Sequence, residues 1–355
     1  MKRFQCGCGT QVFFENHQCV NCDARLGFDP DSMEILSLTP ANNGEYHDSG
    51  GDRFKFCDNG VSFDVCNWLL PAEDHDHSLC FACQFNRTIP NQSLPENDRR
   101  WQRLEEGKKR LFFTLMRLEL PLTNGWQDPE NGLLMDFVDD GRSQPTYGES
   151  FISTGHLNGV ITVNPLEADD IARITVRTEL NQRYRTVLGH MRHESGHYYW
   201  DRLNPDDDTR ADFARQFGDE SRDYAEALKE YYRDGPDKQW RKHYISAYAS
   251  SHPTEDWAES WGHYLHIYDA METAAAQQII DEWPSEMPVT KRIHIWRGLS
   301  ITLNELNRSV GRGDAYPFVI NDVVAEKLEF VDRIIARLRI RAEHESSVVD
   351  SAEDS

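Results

Sequence analysis

From Asn97 onward, apolar side chains recur at three- and four-residue steps: Trp101, Leu104, Leu111, Phe112, Leu115 and Leu118. That spacing predicts an amphipathic helix. Leu133 to Val138 and Val160 to Val163 are short apolar runs that predict strands, and Pro145, Gly148 and Gly155 break the region between them. From about Asp169 the pattern is nearly all helical. One long helix is expected to pass His197 and stop at Asn204-Pro205, because a residue before proline is pushed out of the helical region. Further helices are expected over Tyr224 to Arg233, closed by Gly235-Pro236, and from Thr254 as N-cap after His252-Pro253. The last, from about Asn321 to Glu343, carries Val324, Leu328, Val331, Ile335 and Leu338 on one stripe. The segment before Asn97 lacks this periodicity, and its polar end (TIPNQSLPENDRR) reads as a linker.

The region before the linker is organised by cysteine. All eight cysteines lie within the first 83 of 355 residues. Cys6-x-Cys8 with Cys19-x2-Cys22 forms one cluster, and Cys57, Cys66 and Cys80-x2-Cys83 form a second, looser one. Short-spaced pairs let two knuckles present four thiolates tetrahedrally to one zinc ion. Gly7 and Gly9 suit the tight turn of the first knuckle. His17, His75 and His77 lie near enough to replace a cysteine, but four thiolates per site already suffice. The competing readings are four disulfides, reduced core cysteines, or a redox Cys-x-x-Cys, which no βαβ pattern supports here. Two structural zinc ions in a reducing compartment is the expectation, and with it a cytoplasmic location.

Composition narrows the function classes. Sixty acidic against 38 basic side chains give a formal net charge of −22, which repels phosphate backbones and anionic membranes. Nucleic-acid binding is therefore not expected. No apolar run approaches the roughly 18 residues of a membrane span, and MKRFQCGCGTQVFF lacks the apolar core of a secretory signal.

The candidate chemistry lies at His193-Glu194-Ser195-Gly196-His197. Two histidines four apart on a helix project from one face and supply two imidazoles to a catalytic zinc. Glu194 is placed to take a proton from a metal-activated water. The bland alternative is a helix with ordinary histidines. A metzincin would carry Gly and His three and six residues after His197, where this chain has Trp200 and Leu203. The third ligand is sought instead on a second helix, where Glu255 and Glu259 lie one turn apart. Glu255 can ligate while Glu259 accepts the outer N–H of a ligating histidine, and the reversed assignment stays open. Tyr248 precedes that helix, where its phenol can donate to an oxyanion.

A Glu ligand, an acidic residue four later and a tyrosine upstream resemble the gluzincins, such as thermolysin. The seven-residue step from Tyr248 to Glu255 and the E-x-x-A-E form are similar to the anthrax lethal factor catalytic domain. By that match Glu255 is the ligand. The whole chain resembles bacterial zinc-binding metallopeptidases with an N-terminal zinc-ribbon region. The segments that carry this are Cys66-Asn67-Trp68-Leu69, Arg87-Thr88-Ile89-Pro90 and Tyr184-Arg185-Thr186-Val187-Leu188-Gly189-His190. A fourth runs from Arg192 through the motif to Tyr198-Tyr199-Trp200-Asp201. The resemblance implies a tandem zinc-ribbon unit over 1–94, then a mostly helical, gluzincin-like α+β metallopeptidase domain with a small sheet over 95–345. A disordered acidic tail is expected over 346–355.

Three zinc ions are expected, one catalytic and two structural, with a peptide or protein substrate and a protein partner at the ribbons. The alternative is a catalytically silent peptidase-like scaffold that binds partners through its ribbons. His190, Asp201, His263 and His266 lie near the motif in sequence and are read as structural before functional. Tyr198-Tyr199-Trp200 is read as core packing. Val160 to Val163 is the candidate edge strand for aligning an extended substrate.

Overall fold

A computed structural model describes residues 1–143, 152, 154–169 and 186–353. Pro145, Gly148, Tyr184, Arg185 and the expected helical stretch over 170–185 lie outside them. The chain forms two compact units: Met1–Phe113 with Thr123–Gly155 and Gly159–Asp170, and Thr114–Leu122 with His156–Asn158 and Ile171–Ser355. The fold is α+β, with small sheets and long helices.

In the first unit, β1 (Phe4–Gln5) pairs antiparallel with β2 (Gln11–Val12), and Cys6-x-Cys8 sits in the turn between them. A five-stranded sheet follows in sequence order: β3 (Arg25–Asp29), β4 (Glu34–Pro40), β5 (Tyr46–His47), β6 (Arg53–Phe56) and β7 (Leu69–Pro71). The short helix α1 (Asp58–Phe63) lies between β6 and β7, inside the second cysteine cluster. Strands this short bury little, so aromatic rings supply the core. Phe14 meets Phe28 at 4.9 Å, Phe28 meets Trp68 at 4.7 Å, and Phe14 meets Phe113 at 5.4 Å between centroids.

Phe113 belongs to α2 (Asn97–Arg117), whose first part is built into this unit by a buried polar network as well. The Glu105 carboxylate accepts from Trp101 Nε1 (3.0 Å) and Asn86 Nδ2 (2.7 Å) and pairs with Lys108 (2.8 Å). Both charges are fully buried, and such a pair persists only when its remaining hydrogen bonds are made.

A four-stranded sheet has the order β10 (Gly155–Leu157), β11 (Val160–Val163), β9 (Leu134–Phe137), β8 (Asn86–Thr88). Here the sequence expectation is corrected. Val160–Val163 is not an edge but an inner strand, flanked by β10 and β9. Asn158 and Gly159 adopt positive φ (48° and 76°), the two-residue turn that folds β10 back along β11 and makes β10 the edge.

The second unit is helical. α3 (Val187–Leu203) starts after Thr186, whose Oγ1 accepts from Gly189 N at 2.9 Å, and stops at Asn204 in the left-handed region before Pro205. α4 (Asp207–Phe217) and α5 (Tyr224–Asp234) are capped by Asp206 and Asp223, and α6 (Trp240–His243) is one turn. α7 (Pro253–Ala276) begins two residues earlier than Thr254 as N-cap would set it. Pro253 fits the first helical position, so His252 is the N-cap, and its Nδ1 accepts from Thr254 N at 3.2 Å.

α8 (Val289–Ser309) and α9 (Asp322–Glu353) complete the unit. α9 runs through most of the segment expected to be a disordered tail over 346–355. Residues 342–353 contain neither Gly nor Pro, so nothing local stops the helix. No helix among the described residues is long and apolar enough to cross a membrane.

Candidate metal centre

Two helices that approach unusually closely set the site. A Cβ on Gly196 of α3 would lie 3.1 Å from both Ala258 Cα and Trp261 Cβ of α7. A Cβ on Gly262 would lie 3.3 Å from His193 N. Each helix therefore carries a glycine where the two backbones come close. Indoles fix the rotation of each helix: Trp257 Nε1 donates to Gly196 O (2.8 Å) and Trp261 Nε1 to Ser195 Oγ (3.0 Å). Arg192 pairs with Asp269 at 2.7 Å one turn further along. Tyr199 stacks on Trp261 at 5.1 Å, and Trp200 packs on Phe213 at 4.5 Å; both residues and Tyr198 are core.

This packing places His193 Nε2 3.0 Å from Glu255 Oε2, and His197 Nε2 3.6 Å from Glu255 Oε1. The donor atoms of His193, His197 and Glu255 all lie within 4.8 Å of one another, an arrangement that suits a single metal ion. Glu259 lies one turn on and takes the other face of the same ring, with its Oε1 2.8 Å from His193 Nδ1. A neutral His193 that donates from Nδ1 to Glu259 has a bare lone pair at Nε2. Two acceptors facing each other at 3.0 Å require a cation between them. Without a metal, a proton serves. Burial opposes charge on His193, yet the hydrogen bonds its ring N–H groups donate to Glu255 and Glu259 hold it well above the usual imidazole range. Burial pushes Glu259 up, but the hydrogen bond and charge of His193 outweigh it and bring Glu259 down to about 2.

Glu194 is buried beside the triad. Burial raises its pKa, the two motif histidines oppose that rise, and the backbone N–H of His156 on edge strand β10 donates to its carboxylate. The His156 ring is itself buried, with Nδ1 3.7 Å from Asp201, and burial followed by the charge of His197 lowers its pKa to about 4. Tyr248 is half-buried, its ring 6.0 Å from that of His193. Tyr224, which the sequence pattern did not single out, donates its phenol proton to Glu255 Oε1 at 2.6 Å.

The other residues near the motif do other things. His263 Nδ1 lies 2.9 Å from Tyr316 Oη and its ring packs on Phe318, while His266 lies against Trp296 and Tyr316. His190 and Asp201 are not part of the donor triad.

The eight cysteines gather as two groups of four: Cys6, Cys8, Cys19 and Cys22, and Cys57, Cys66, Cys80 and Cys83. Sulfur separations of 3.5 Å (Cys6–Cys22), 3.7 Å (Cys8–Cys19) and 3.6 Å (Cys66–Cys80) exclude disulfides. They match the edge of a tetrahedron with zinc–sulfur bonds of about 2.3 Å. Ser37 Oγ donates to Cys6 Sγ (3.2 Å) and Cys80 N to Cys57 Sγ (3.4 Å), donors that disperse thiolate charge. None of His17, His75 and His77 belongs to either group: His17 lies 3.3 Å from Asp64 and His77 bonds Asp74.

Comparison with protein families matches residues 97–334 to the family described as "Putative zinc-binding metallo-peptidase" and residues 3–94 to a zinc-ribbon domain. The chain belongs to this metallo-peptidase family. Uncharacterized proteins of Mycobacterium bovis and of two Mycobacterium tuberculosis strains are 37% identical to it over 345 residues, covering 94% of this chain and 95% of each relative. No solved structure matches it. Within this family member, Glu259→Gln is expected to lower zinc affinity at the histidine site by about 10- to 100-fold, because the carboxylate that orients and polarises His193 is gone. Competition with a chelator measures it, and an unchanged affinity would remove Glu259 from the site.

Proposed function

We propose that the chain is a zinc-dependent peptidase with a gluzincin-like ligand set, His193, His197 and Glu255. The observation that carries this is the meeting of those three donors beside a buried Glu194. Held there, zinc would polarise a carbonyl and make a water acidic enough to lose its proton near neutrality. Glu194 accepts that proton and passes it to the leaving amine. Glu259 holds the His193 ring so that Nε2 points inward, and Tyr248 is assigned as donor to the oxyanion. The edge strand β10 aligns an extended substrate by main-chain hydrogen bonds, next to the carboxylate its own His156 N–H contacts.

The two cysteine groups hold one structural zinc ion each, for three zinc ions per chain, and the ribbon region over 1–94 serves partner recognition. Thiols held for metal and the absence of disulfides among them favour the cytoplasm. The peptidase domain is assigned to 95–345.

The test is incubation of the zinc-loaded chain with a library of peptides, followed by mass spectrometry of new termini. Cleavage that a chelator abolishes supports the proposal. Full zinc loading with no cleavage of any peptide points to the protein-binding scaffold instead.

A further inference from the structure

The Glu255 carboxylate is used unevenly. Its Oε1 accepts a hydrogen bond from Tyr224 Oη at 2.6 Å, while its buried Oε2 faces His193 Nε2 at 3.0 Å. Tyr224 is the first residue of α5, 31 positions before its partner in the chain, and two further contacts hold it there. Its ring packs edge-on against His252 at 5.2 Å. His252 in turn caps α7 through Nδ1 and donates from Nε2 to Arg222 O at 3.0 Å. One histidine thus ties the start of α5 to the start of α7, two residues ahead of Glu255 in its first turn.

We propose that Tyr224 is a positioning residue that commits Glu255 to bind the metal through one oxygen. A carboxylate free at both oxygens can chelate with the pair and fill two coordination positions. A short phenol hydrogen bond occupies Oε1 and leaves Oε2, already beside the His193 nitrogen, as the donor. Three protein donors then leave the fourth position of a tetrahedral ion open for water or a substrate carbonyl, the arrangement a catalytic rather than a structural zinc requires. The same hydrogen bond fixes the carboxylate's rotation and strengthens the site. This inference rests on the reading that His193, His197 and Glu255 hold zinc.

The test compares the full-length wild-type, Tyr224→Phe and Glu255→Ala chains for zinc content and for zinc affinity by chelator competition. Tyr224 is 45% exposed, and phenylalanine keeps the ring against His252, so the fold should persist. Retention of the two cysteine-bound zinc ions and an unchanged thermal midpoint of the chain stripped of its third zinc verify that. The expected result is a 10- to 100-fold weaker third zinc in Tyr224→Phe, on the order of the cost of losing an outer hydrogen bond to a ligand. A third zinc held equally by wild type and Tyr224→Phe overturns the role of Tyr224 alone. A zinc count that Glu255→Ala leaves unchanged overturns the metal site and this inference together.

Discussion

Replacing Glu194 by Gln is expected to lower peptide hydrolysis by about 10²- to 10⁴-fold, the usual contribution of a general acid–base group, with bound zinc unchanged. The substitution is nearly isosteric in a buried position, and the amide oxygen can still accept the backbone N–H of His156. What it removes is the capacity to take a proton and return it to the amine. Burial raises the Glu194 pKa, which moves a carboxylate towards the pH at which both transfers are efficient. The measurement is kcat/KM on a peptide from the library screen, alongside zinc content. Retained activity would mean that another group is the base.

The second large effect is expected at Cys80. Cys80 and its three partners are fully enclosed, and burial pushes its thiol well above the usual range, so a thiolate there depends on the metal. A structural zinc contributes about 10–16 kcal/mol of apparent binding energy that is also folding energy. The first unit has short strands and an aromatic core to set against that loss. Cys80→Ser should therefore remove one zinc ion and unfold this unit, seen as proteolytic cleavage concentrated in residues 1–113. Cys8→Ser is the informative contrast. Cys8 is exposed, water can complete the coordination, and the loss of protection should be smaller. Equal, mild effects of both substitutions would show that the fold does not depend on these metals.

What was legible in the sequence was what lies close together along it. His193 and His197 are one helical turn apart, the cysteine pairs are two or three residues apart, and Glu255 and Glu259 are again one turn apart. Helical periodicity brings the histidine and glutamate pairs each to one face, and tight turns bring the cysteine pairs together, before any tertiary contact is known. The meeting of α3 with α7 was not legible in this way, because Gly196 and Gly262 are isolated glycines until their helices cross. Tyr224 was missed because nothing local marks a tyrosine 31 residues before the carboxylate it contacts.

Two other differences had a visible signal that a stronger one hid. Asn158-Gly159 is a hairpin sequence, but the apolar run after it drew the edge to β11 rather than β10. Thr254 has the better capping side chain, yet Pro253 fixes the first helical position and makes His252 the cap.

The central claim is that His193, His197 and Glu255 hold a zinc ion separate from the two in the cysteine clusters. Mass spectrometry of metal content, on wild type and the His193→Ala/His197→Ala double variant purified without added metal, tests it most directly. Three zinc ions per chain falling to two is the predicted result. The same count in both proteins would contradict the claim and leave the histidine pair without a metal.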